Sequence, residues 1–190
     1  MKLRESGMPE ESYWETLFDV PLILDRLRID ARIQHVVELG CGYGTFTIPV
    51  AQRISGALRT FDIDETMIER TRRRAAEAGV WNIFYVVRDV FADGFGGEAS
   101  SQDACLLFNI LHAEQPDRLL REAGRVLRPA GRLGIIHWNY DPATPRGPSM
   151  SIRPRPEQCR AWAEAAGFRL LAPGIINLPP YHYGMALERP

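Results

Sequence analysis

The protein has 190 residues, with 23 Lys and Arg against 24 Asp and Glu and a formal net charge of -1. Hydrophobic residues make up 45% of the chain and charged residues 25%, which is the ordinary composition of a soluble globular domain. The near-neutral charge excludes a polyanion binder that works through bulk charge. The length favours a single domain over residues 1–190, large enough to bury a full core.

The cysteines and the apolar stretches indicate the compartment. Cys41, Cys105 and Cys159 lie far apart and are odd in number, and no Cys or His spacing suggests a metal site. We therefore expect free thiols in a reducing compartment. Residues 1–14 lack the apolar core of a signal peptide, and the apolar stretches are interrupted within about ten residues, too short to span a bilayer. These patterns predict a cytoplasmic protein with no membrane partner.

Hydrophobic periodicity switches repeatedly between the helical and the strand period. Five alternating strand–helix units predict an α/β fold, a doubly wound, Rossmann-like, mostly parallel sheet of seven strands. Residues 178–182 are too few for a parallel crossover, so the last strand is expected to be antiparallel, in a hairpin with the sixth. Pro21 is expected to kink or split the first helix. The predicted helices cover residues 10–27, a stretch ending near 54, 64–78, 117–127 and 156–166, and the strands cover 35–39, 57–62, 83–88, 104–109, 132–138, 168–177 and 183–188.

A glycine-rich turn follows the first predicted strand. Gly40, Gly42 and Gly44 let the backbone approach a ligand closely. Asp62 ends the next strand, where an acid can accept both ribose hydroxyls of a nucleoside, and Asp89 ends the third strand, where it can meet an adenine amine. Parallel strands place all three features at one edge of the sheet. The alternative is that the two acids only cap helices.

Glu38, two residues before the first glycine, indicates which nucleoside cofactor is bound. A dinucleotide-binding turn has the spacing G-x-G-x-x-G and binds an anionic pyrophosphate. Here the third glycine comes one residue early, and a carboxylate beside the turn favours a cationic ligand. The pattern therefore favours S-adenosylmethionine, with its sulfonium and ammonium charges, over NAD.

Residues 36–44, VVELGCGYG, resemble motif I of class I S-adenosylmethionine-dependent methyltransferases. Residues 59–64 are similar to the ribose-binding motif of that family, 88–90 to its adenine-binding motif, and 103–112 and 121–133 to its fourth strand and the following helix–turn–strand. The resemblance covers about residues 34–138 and is strongest to the small-molecule branch that includes quinone C-methyltransferases. One departure is Ala130, where the family usually has Gly.

The resemblance implies a role for each matching residue. Gly40, Gly42 and Gly44, together with Cys41, would wrap the methionine part of the cofactor, and Glu38 would brace that loop. Asp62 would hold the ribose, and the backbone of Asn109 would lie beside the methionine end. The adenine would pack on Ile63 and be read by Asp89 and the Val90 amide.

No catalytic base is evident from the sequence. The candidates at strand ends are His112, Tyr181 and His182, with His137, Asn139, Tyr140 and Tyr183 as further candidates. For the turn with Tyr181 and His182 the alternatives are a substrate wall and a plain turn. His112 could instead pack at a helix start, and His137, in an apolar strand, is interpreted as a core histidine.

The remaining segments are assigned to substrate choice. Residues 1–30, with Tyr13 and Trp14, form a helical lid or merely pack on the core, residues 31–140 form the cofactor-binding core, and residues 141–190 supply a loop, a helix and the hairpin. The basic run Arg70, Arg72, Arg73 and Arg74 is interpreted as a solvated helix face, and Arg153 and Arg155 as weaker candidates for holding an acidic substrate.

The resulting hypothesis is an enzyme that transfers a methyl group from S-adenosyl-L-methionine to a small molecule, leaving S-adenosyl-L-homocysteine. The alternatives are an RNA or protein methyltransferase, which the lack of a basic module disfavours, and a cofactor-binding subunit without turnover. The predicted pocket is either open or closed by a second copy in a homodimer.

Overall fold

An open, twisted sheet with helices on both faces organises the chain in the computed structural model, which describes residues 8–190. The first seven residues, part of the predicted lid, lie outside the described residues. Within that range the strands are β1 His35–Leu39, β2 Ala57–Asp62, β3 Ile83–Val87, β4 Gln102–Phe108, β5 Leu127–Trp138, β6 Arg169–Leu170, β7 Ile176–Leu178 and β8 His182–Glu188. The helices are α1 Glu11–Glu15, α2 Val20–Arg26, α3 Thr47–Arg53, α4 Glu65–Glu77, α5 Val90–Asp93, α6 Pro116–Val126 and α7 Pro156–Ala165.

The strand order is β3-β2-β1-β4-β5-β8-β6, and β7 also pairs with β8. The first five strands are parallel to one another, whereas β8 is antiparallel to β5, β6 and β7. This topology confirms the predicted α/β fold with its reversed last strand. It places the carboxyl ends of β1, β2 and β4 together with the start of β8 at one edge of the sheet.

Two predicted elements are broken in the structure. The sixth strand, predicted over residues 168–177, is divided into β6 and β7 because the backbone turns at Pro173 and Gly174, so the sheet has eight strands in the described residues. The first helix is split, as expected, but the break comes at residues 16–19, before Pro21. Proline lacks an N–H and is tolerated in the first turn of a helix, so Pro21 lies near the start of α2.

The ends of other helices have local chemical causes. Asp64 accepts a hydrogen bond from the Thr66 amide at 2.8 Å, which caps the start of α4. Gly79, with a φ of 68°, follows the end of that helix. On the other face of the sheet, Pro116 lies in the first turn of α6. These ends set the lengths of the connections that reach the carboxyl edge.

The core has two parts, one on each face of the sheet. One joins the sheet to α2, α3 and α4 and contains Ile23, Leu24, Leu58 and Leu106. The other, which includes Leu107, packs under α6 and α7. Alternate residues of β4 therefore contribute to opposite cores, as strand geometry requires. No helix formed by residues 8–190 combines the length and the apolar composition needed to cross a bilayer.

Candidate functional site

The turn after β1 has the unusual backbone that its glycines predict. Gly40, Gly42 and Gly44 have φ values of 86°, 51° and 80°, in the left-handed region that other residues rarely adopt. The Gly40 amide donates to the Phe61 carbonyl at 2.7 Å, which ties the turn to β2. At its three glycine positions the turn therefore presents bare backbone at the carboxyl edge of the sheet.

Glu38 lies behind this turn and is only 2% exposed. The hydroxyls of Thr47 and Thr60 donate to its Oε2 atom at 2.7 and 2.8 Å, so the carboxyl group joins α3 to β2. Burial raises the pKa of Glu38 to about 7, although the two hydroxyls act in the opposite direction. The contacts agree with the bracing role that the resemblance implies, and they place Glu38 beneath the turn.

Asp62, at the end of β2, holds the same turn from the other side. Its Oδ2 atom accepts a hydrogen bond from the Gly42 amide at 3.2 Å and lies 3.6 Å from Cys41 Sγ, while its Oδ1 atom accepts from the Asp64 amide at 3.0 Å. A carboxylate oxygen accepts more than one hydrogen bond, so both oxygens retain capacity for ligand hydroxyls. The next side chain, Ile63, is 40% exposed, and a large apolar group at this position is suited to covering a flat ring.

Asp89 has the capping role that was the alternative to ligand binding. Its Oδ1 atom accepts from the amides of Phe91 and Ala92 at 3.1 and 3.2 Å, at the start of α5. Val90 is buried beneath that turn. The structure therefore places Asp89 near the carboxyl edge, where its carboxylate caps α5.

Thr45 is a polar residue at the turn that sequence reasoning missed. Its Oγ1 atom is buried and has no hydrogen-bond partner among the described residues. An unpaired buried hydroxyl is costly and points to a ligand group. The available signal was a hydroxyl residue directly after the third glycine. With the bare backbone of the turn and the carboxylate of Asp62, this unpaired atom makes the site fit a cofactor with several polar groups.

The segment that includes α1 packs against the glycine turn. Glu11 forms ion pairs with Arg70 at 2.5 Å and with Arg74 at 2.9 Å, and both arginines belong to α4. The Tyr43 hydroxyl, from the turn itself, donates to the Pro9 carbonyl at 2.7 Å. Arg70 is exposed, as the predicted solvated face requires, and Arg74 is partly exposed, and both side chains also hold the N-terminal segment in place.

Met8 shows how closely this segment approaches the turn. A Cβ atom built on Gly42 would lie 3.2 Å from Met8 Cε, so the methionine side chain covers the bare backbone there. Trp14 packs on the core with its ring centroid 4.9 Å from that of Phe18, whereas Tyr13 is 42% exposed. The segment lies over the turn, as expected of a lid. Trp14 also packs directly on the core, as the alternative to a lid predicts.

Asn109 and His182 meet at the same edge. Asn109 follows β4 and has a φ of 55°, and its amide nitrogen Nδ2 lies 3.4 Å from His182 Nε2 at the start of β8. His182 is fully buried, and burial, followed by the charge of Arg153, lowers its pKa to about 3. The imidazole is therefore neutral at physiological pH.

His112 and His137 form a second pair on the opposite face of the sheet. His112 Nδ1 lies 3.3 Å from His137 Nε2. Burial and then Arg153 lower the pKa of His112 to about 4, and burial and then His112 hold the pKa of His137 well below its ordinary value. His137 is fully buried, as its interpretation as a core histidine predicted, but it is bonded to another candidate.

Arg153 is buried and organises the loop between β5 and α7. Its guanidinium donates to the carbonyls of Asn139, Asp141 and Pro148 at 2.8 to 3.2 Å and also contacts Thr144 Oγ1. The suggestion that Arg153 holds an acidic substrate is therefore wrong, because backbone carbonyls of the loop occupy its donors.

The other candidates near this loop have structural partners. The Arg155 guanidinium stacks 3.7 Å from the centroid of the Tyr140 ring. The Tyr183 hydroxyl is buried and donates to the Pro154 carbonyl at 3.0 Å, which joins β8 to the loop. Tyr181 is partly buried against the core, and its carbonyl accepts from the Asn139 amide at 2.8 Å.

Residues 36–131 match the family model described as a methyltransferase domain. Among curated proteins, the chain is 30% identical over 91% of its length to an uncharacterised 37.1 kDa transposon protein of Streptomyces fradiae, of which it covers half. It is 26% identical over 85% of its length to a 23S rRNA (uracil(1939)-C(5))-methyltransferase of Alcanivorax borkumensis, of which it covers 33%. It is 28% identical over 67% of its length to an aklanonic acid methyltransferase of a Streptomyces species, of which it covers 62%. The chain thus spans a third to about three-fifths of these relatives.

Among solved structures, a SAM-dependent methyltransferase from Aquifex aeolicus superposes with a TM-score of 0.82 at 20% identity. The match covers 95% of this chain and 94% of that protein. At this identity the likeness supports the fold alone.

Proposed function

Because this chain belongs to the family of methyltransferase domains, we propose that the protein transfers the methyl group of S-adenosyl-L-methionine to a small-molecule acceptor. The family match shows the methyltransferase domain that the sequence predicted, and it supports S-adenosyl-L-methionine as the cofactor. The observation that carries the proposal is the turn of three left-handed glycines, held to Asp62 through the Gly42 amide at the carboxyl edge of the sheet. Ligands of open α/β sheets bind at this edge.

The proposed cofactor contacts follow the geometry of this edge. The backbone from Gly40 to Gly44, with Cys41 and Thr45, takes the methionine part, and Glu38 supports the turn from below. The acceptor side begins at Asn109. The ribose hydroxyls meet Asp62, and the adenine lies on Ile63 with its edge toward Asp89 and the Val90 amide.

When bound, the cofactor supplies an electrophilic methyl group on a positively charged sulfur. The chain contributes mainly by positioning, because holding two reactants together can lower a barrier by roughly 7–11 kcal/mol. A general base typically adds a factor of about 10²–10⁴. His112, Tyr181 and His182 therefore remain candidates for positioning the acceptor, and the proposal does not depend on a base among them.

Calorimetry with S-adenosyl-L-homocysteine tests the proposal. The native protein is expected to bind this product, and Asp62→Ala is expected to lose binding, because the change removes the ribose acceptor and the support of the Gly42 amide. Asp117→Ala is the matched control, since Asp117 pairs with Arg121 on the outer face of α6. Failure of the native protein to bind the product would overturn the proposal.

The alternative acceptor is RNA, which the identity to an rRNA methyltransferase favours. That relative is three times the length of the matched region, and the near-neutral charge of the present chain speaks for a small acceptor. Retention on RNA at moderate salt would favour the alternative. Four points stay predictions: membership of the quinone branch, the single-domain organisation, a homodimer and a cytoplasmic location.

A further inference from the structure

The contact between Asn109 and His182 leaves polar atoms without partners. Asn109 Oδ1 and His182 Nδ1 are both buried and make no hydrogen bond among the described residues. A neutral imidazole has one donor and one acceptor nitrogen, and an amide has a donor and an acceptor side. Whichever way the amide is oriented, their mutual bond therefore leaves one donor and one acceptor free.

Aromatic rings extend from the glycine turn to this pair. Phe46, two residues after Gly44, lies 4.9 Å from Phe108 and 5.1 Å from Phe18, measured between ring centroids. Phe18 stacks on His182 at 4.5 Å and 28°, and the Trp138 ring lies 4.2 Å from His182. We call Phe18, Phe46, Phe108 and Trp138 the aromatic wall. It connects the proposed methyl donor with the two unpaired polar atoms.

The wall and the polar pair carry no formal charge. His182 is neutral at physiological pH, and the nearby Arg153 is bound to carbonyls of its own loop. Neither a carboxylate nor an ammonium group buried here would have a directly bonded counter-ion, because loop carbonyls use the donors of the Arg153 guanidinium, and such burial is costly. A flat, uncharged ring meets the aromatic surfaces without this cost.

We infer that the acceptor is a planar, uncharged molecule with neighbouring oxygen substituents, at least one of them a hydroxyl, and that Asn109 and His182 bind these oxygens while the aromatic wall packs on the ring. This inference rests on the proposed function and names its substrate class. In the transfer, a lone pair of the hydroxyl oxygen forms the bond to the methyl carbon. The carbon–sulfur bond breaks with its electrons returning to sulfur, and the hydroxyl proton passes to water. His182 is a positioning residue in this scheme.

Phe18 belongs to the N-terminal segment that covers the turn, so the acceptor enters when this segment opens. The backbone of Phe18 forms a β-bridge with Pro180, two residues before His182. The phenyl ring on His182 thus covers a surface suited to the ring of the acceptor.

The test uses 2,3-dihydroxynaphthalene as the probe and titrates it into the protein loaded with S-adenosyl-L-homocysteine. We expect it to bind at least about tenfold more tightly than 3-hydroxy-2-naphthoate, which carries a charge, or decahydronaphthalene-2,3-diol, which is not planar. Equal binding of the three compounds, or binding of none of them, would overturn the inference. If the native protein also fails to bind S-adenosyl-L-homocysteine, the proposed function is overturned as well. Binding of this product therefore distinguishes failure of the inference from failure of the proposed function.

Two variants separate recognition from folding. His182→Phe keeps a ring in the wall but removes the polar atom, and we expect KM for the dihydroxynaphthalene to rise about tenfold with a smaller change in kcat. His182→Gln keeps a donor and an acceptor and is expected to restore part of the binding. His35→Gln, at the exposed end of β1, is the control. An unchanged KM in His182→Phe, with product binding intact, would contradict the assignment.

Discussion

Glu38 is a buried acid whose charge depends on what binds above it. Two threonine hydroxyls, from Thr47 and Thr60, donate to one of its oxygens, and no cation among the described residues pairs with it. Because burial penalises the ionised form, the pKa is raised to about 7 and the group is partly protonated at neutral pH. A positively charged ligand over the glycine turn would favour the ionised form.

This coupling predicts proton release on cofactor binding. A nearby sulfonium and ammonium lower the pKa of Glu38, so binding of S-adenosyl-L-methionine near pH 7 should release a fraction of a proton, and affinity should rise as the pH increases from 6 to 8. Titration calorimetry in buffers of different ionisation enthalpy measures the released protons.

Glu38→Gln supplies the control for proton release, since the amide retains a hydrogen-bonding oxygen but cannot titrate. It should abolish the release that Glu38 causes, and S-adenosyl-L-homocysteine, without the sulfonium charge, should release less than the methyl donor. Equal proton release by the native protein and Glu38→Gln would show that another group is responsible.

The N-terminal segment is held over the site by charges between elements. Glu11 on α1 pairs with Arg70 and Arg74 of α4, and Glu15 pairs with Arg74 at 2.6 Å. Partly exposed ion pairs contribute about 0.2–1 kcal/mol each and are weakened by salt. The helix itself has five residues, too few to be stable alone, so its position depends on these contacts and on packing.

Glu11→Gln should therefore loosen the segment without unfolding the domain. We expect affinity for S-adenosyl-L-homocysteine to fall about two- to fivefold at low salt, as the loss of one or two such pairs implies, and the difference to shrink at high salt. Hydrogen exchange at residues 8–18 should become faster in parallel. Glu69→Gln is the matched control, because Glu69 pairs with Arg72 within α4. Identical exchange in Glu11→Gln and the native protein would contradict this role.

At the scale of the whole molecule, buried neutral histidines make stability depend on pH. His112, His137 and His182 have lowered pKa values in the folded state, about 4 for His112 and about 3 for His182. In the unfolded chain their pKa is about 6.5, so between this value and pH 4 the unfolded state binds more protons than the folded state. The free energy of unfolding should therefore decrease as the pH falls below about 6.5.

Glu38 acts in the opposite direction over part of this range. Its folded pKa is raised, so the folded state keeps a proton that the unfolded chain has lost between about pH 4.5 and 7. The three histidines outweigh the single glutamate, so acidification should cause a net loss of stability. Each group changes the free energy of unfolding by about 1.4 kcal/mol per pH unit. Urea denaturation at pH 7.5, 6.0 and 5.0 measures it.

His112→Gln should reduce this pH dependence by the contribution of about one titrating group. A free energy of unfolding that stays constant from pH 7.5 to 5.0 in the native protein would contradict the burial of these neutral rings.

The sequence by itself determined the elements and the cofactor edge, because both depend on local chemistry. Strand β4 contains a continuous apolar run at residues 104–108, and the left-handed turn has glycines at the positions that need them. The reversed last strand followed from a connection too short for a crossover. The exception is residues 168–177, predicted as one strand and found as two, because the prediction overlooked the local turn signal of Pro173 and Gly174.

Only the tertiary structure decided the partners of residues far apart in the chain. Asn109 meets His182 across 73 positions, and His112, in the turn after β4, meets His137 of β5. Arg153 has the composition of a substrate anchor, yet folding buries it among loop carbonyls. The pKa of each histidine depends on the burial that these encounters produce, and burial arises from packing that no local pattern encodes. Residue types therefore located the edge of the sheet, and the fold decided which side chains face a ligand there.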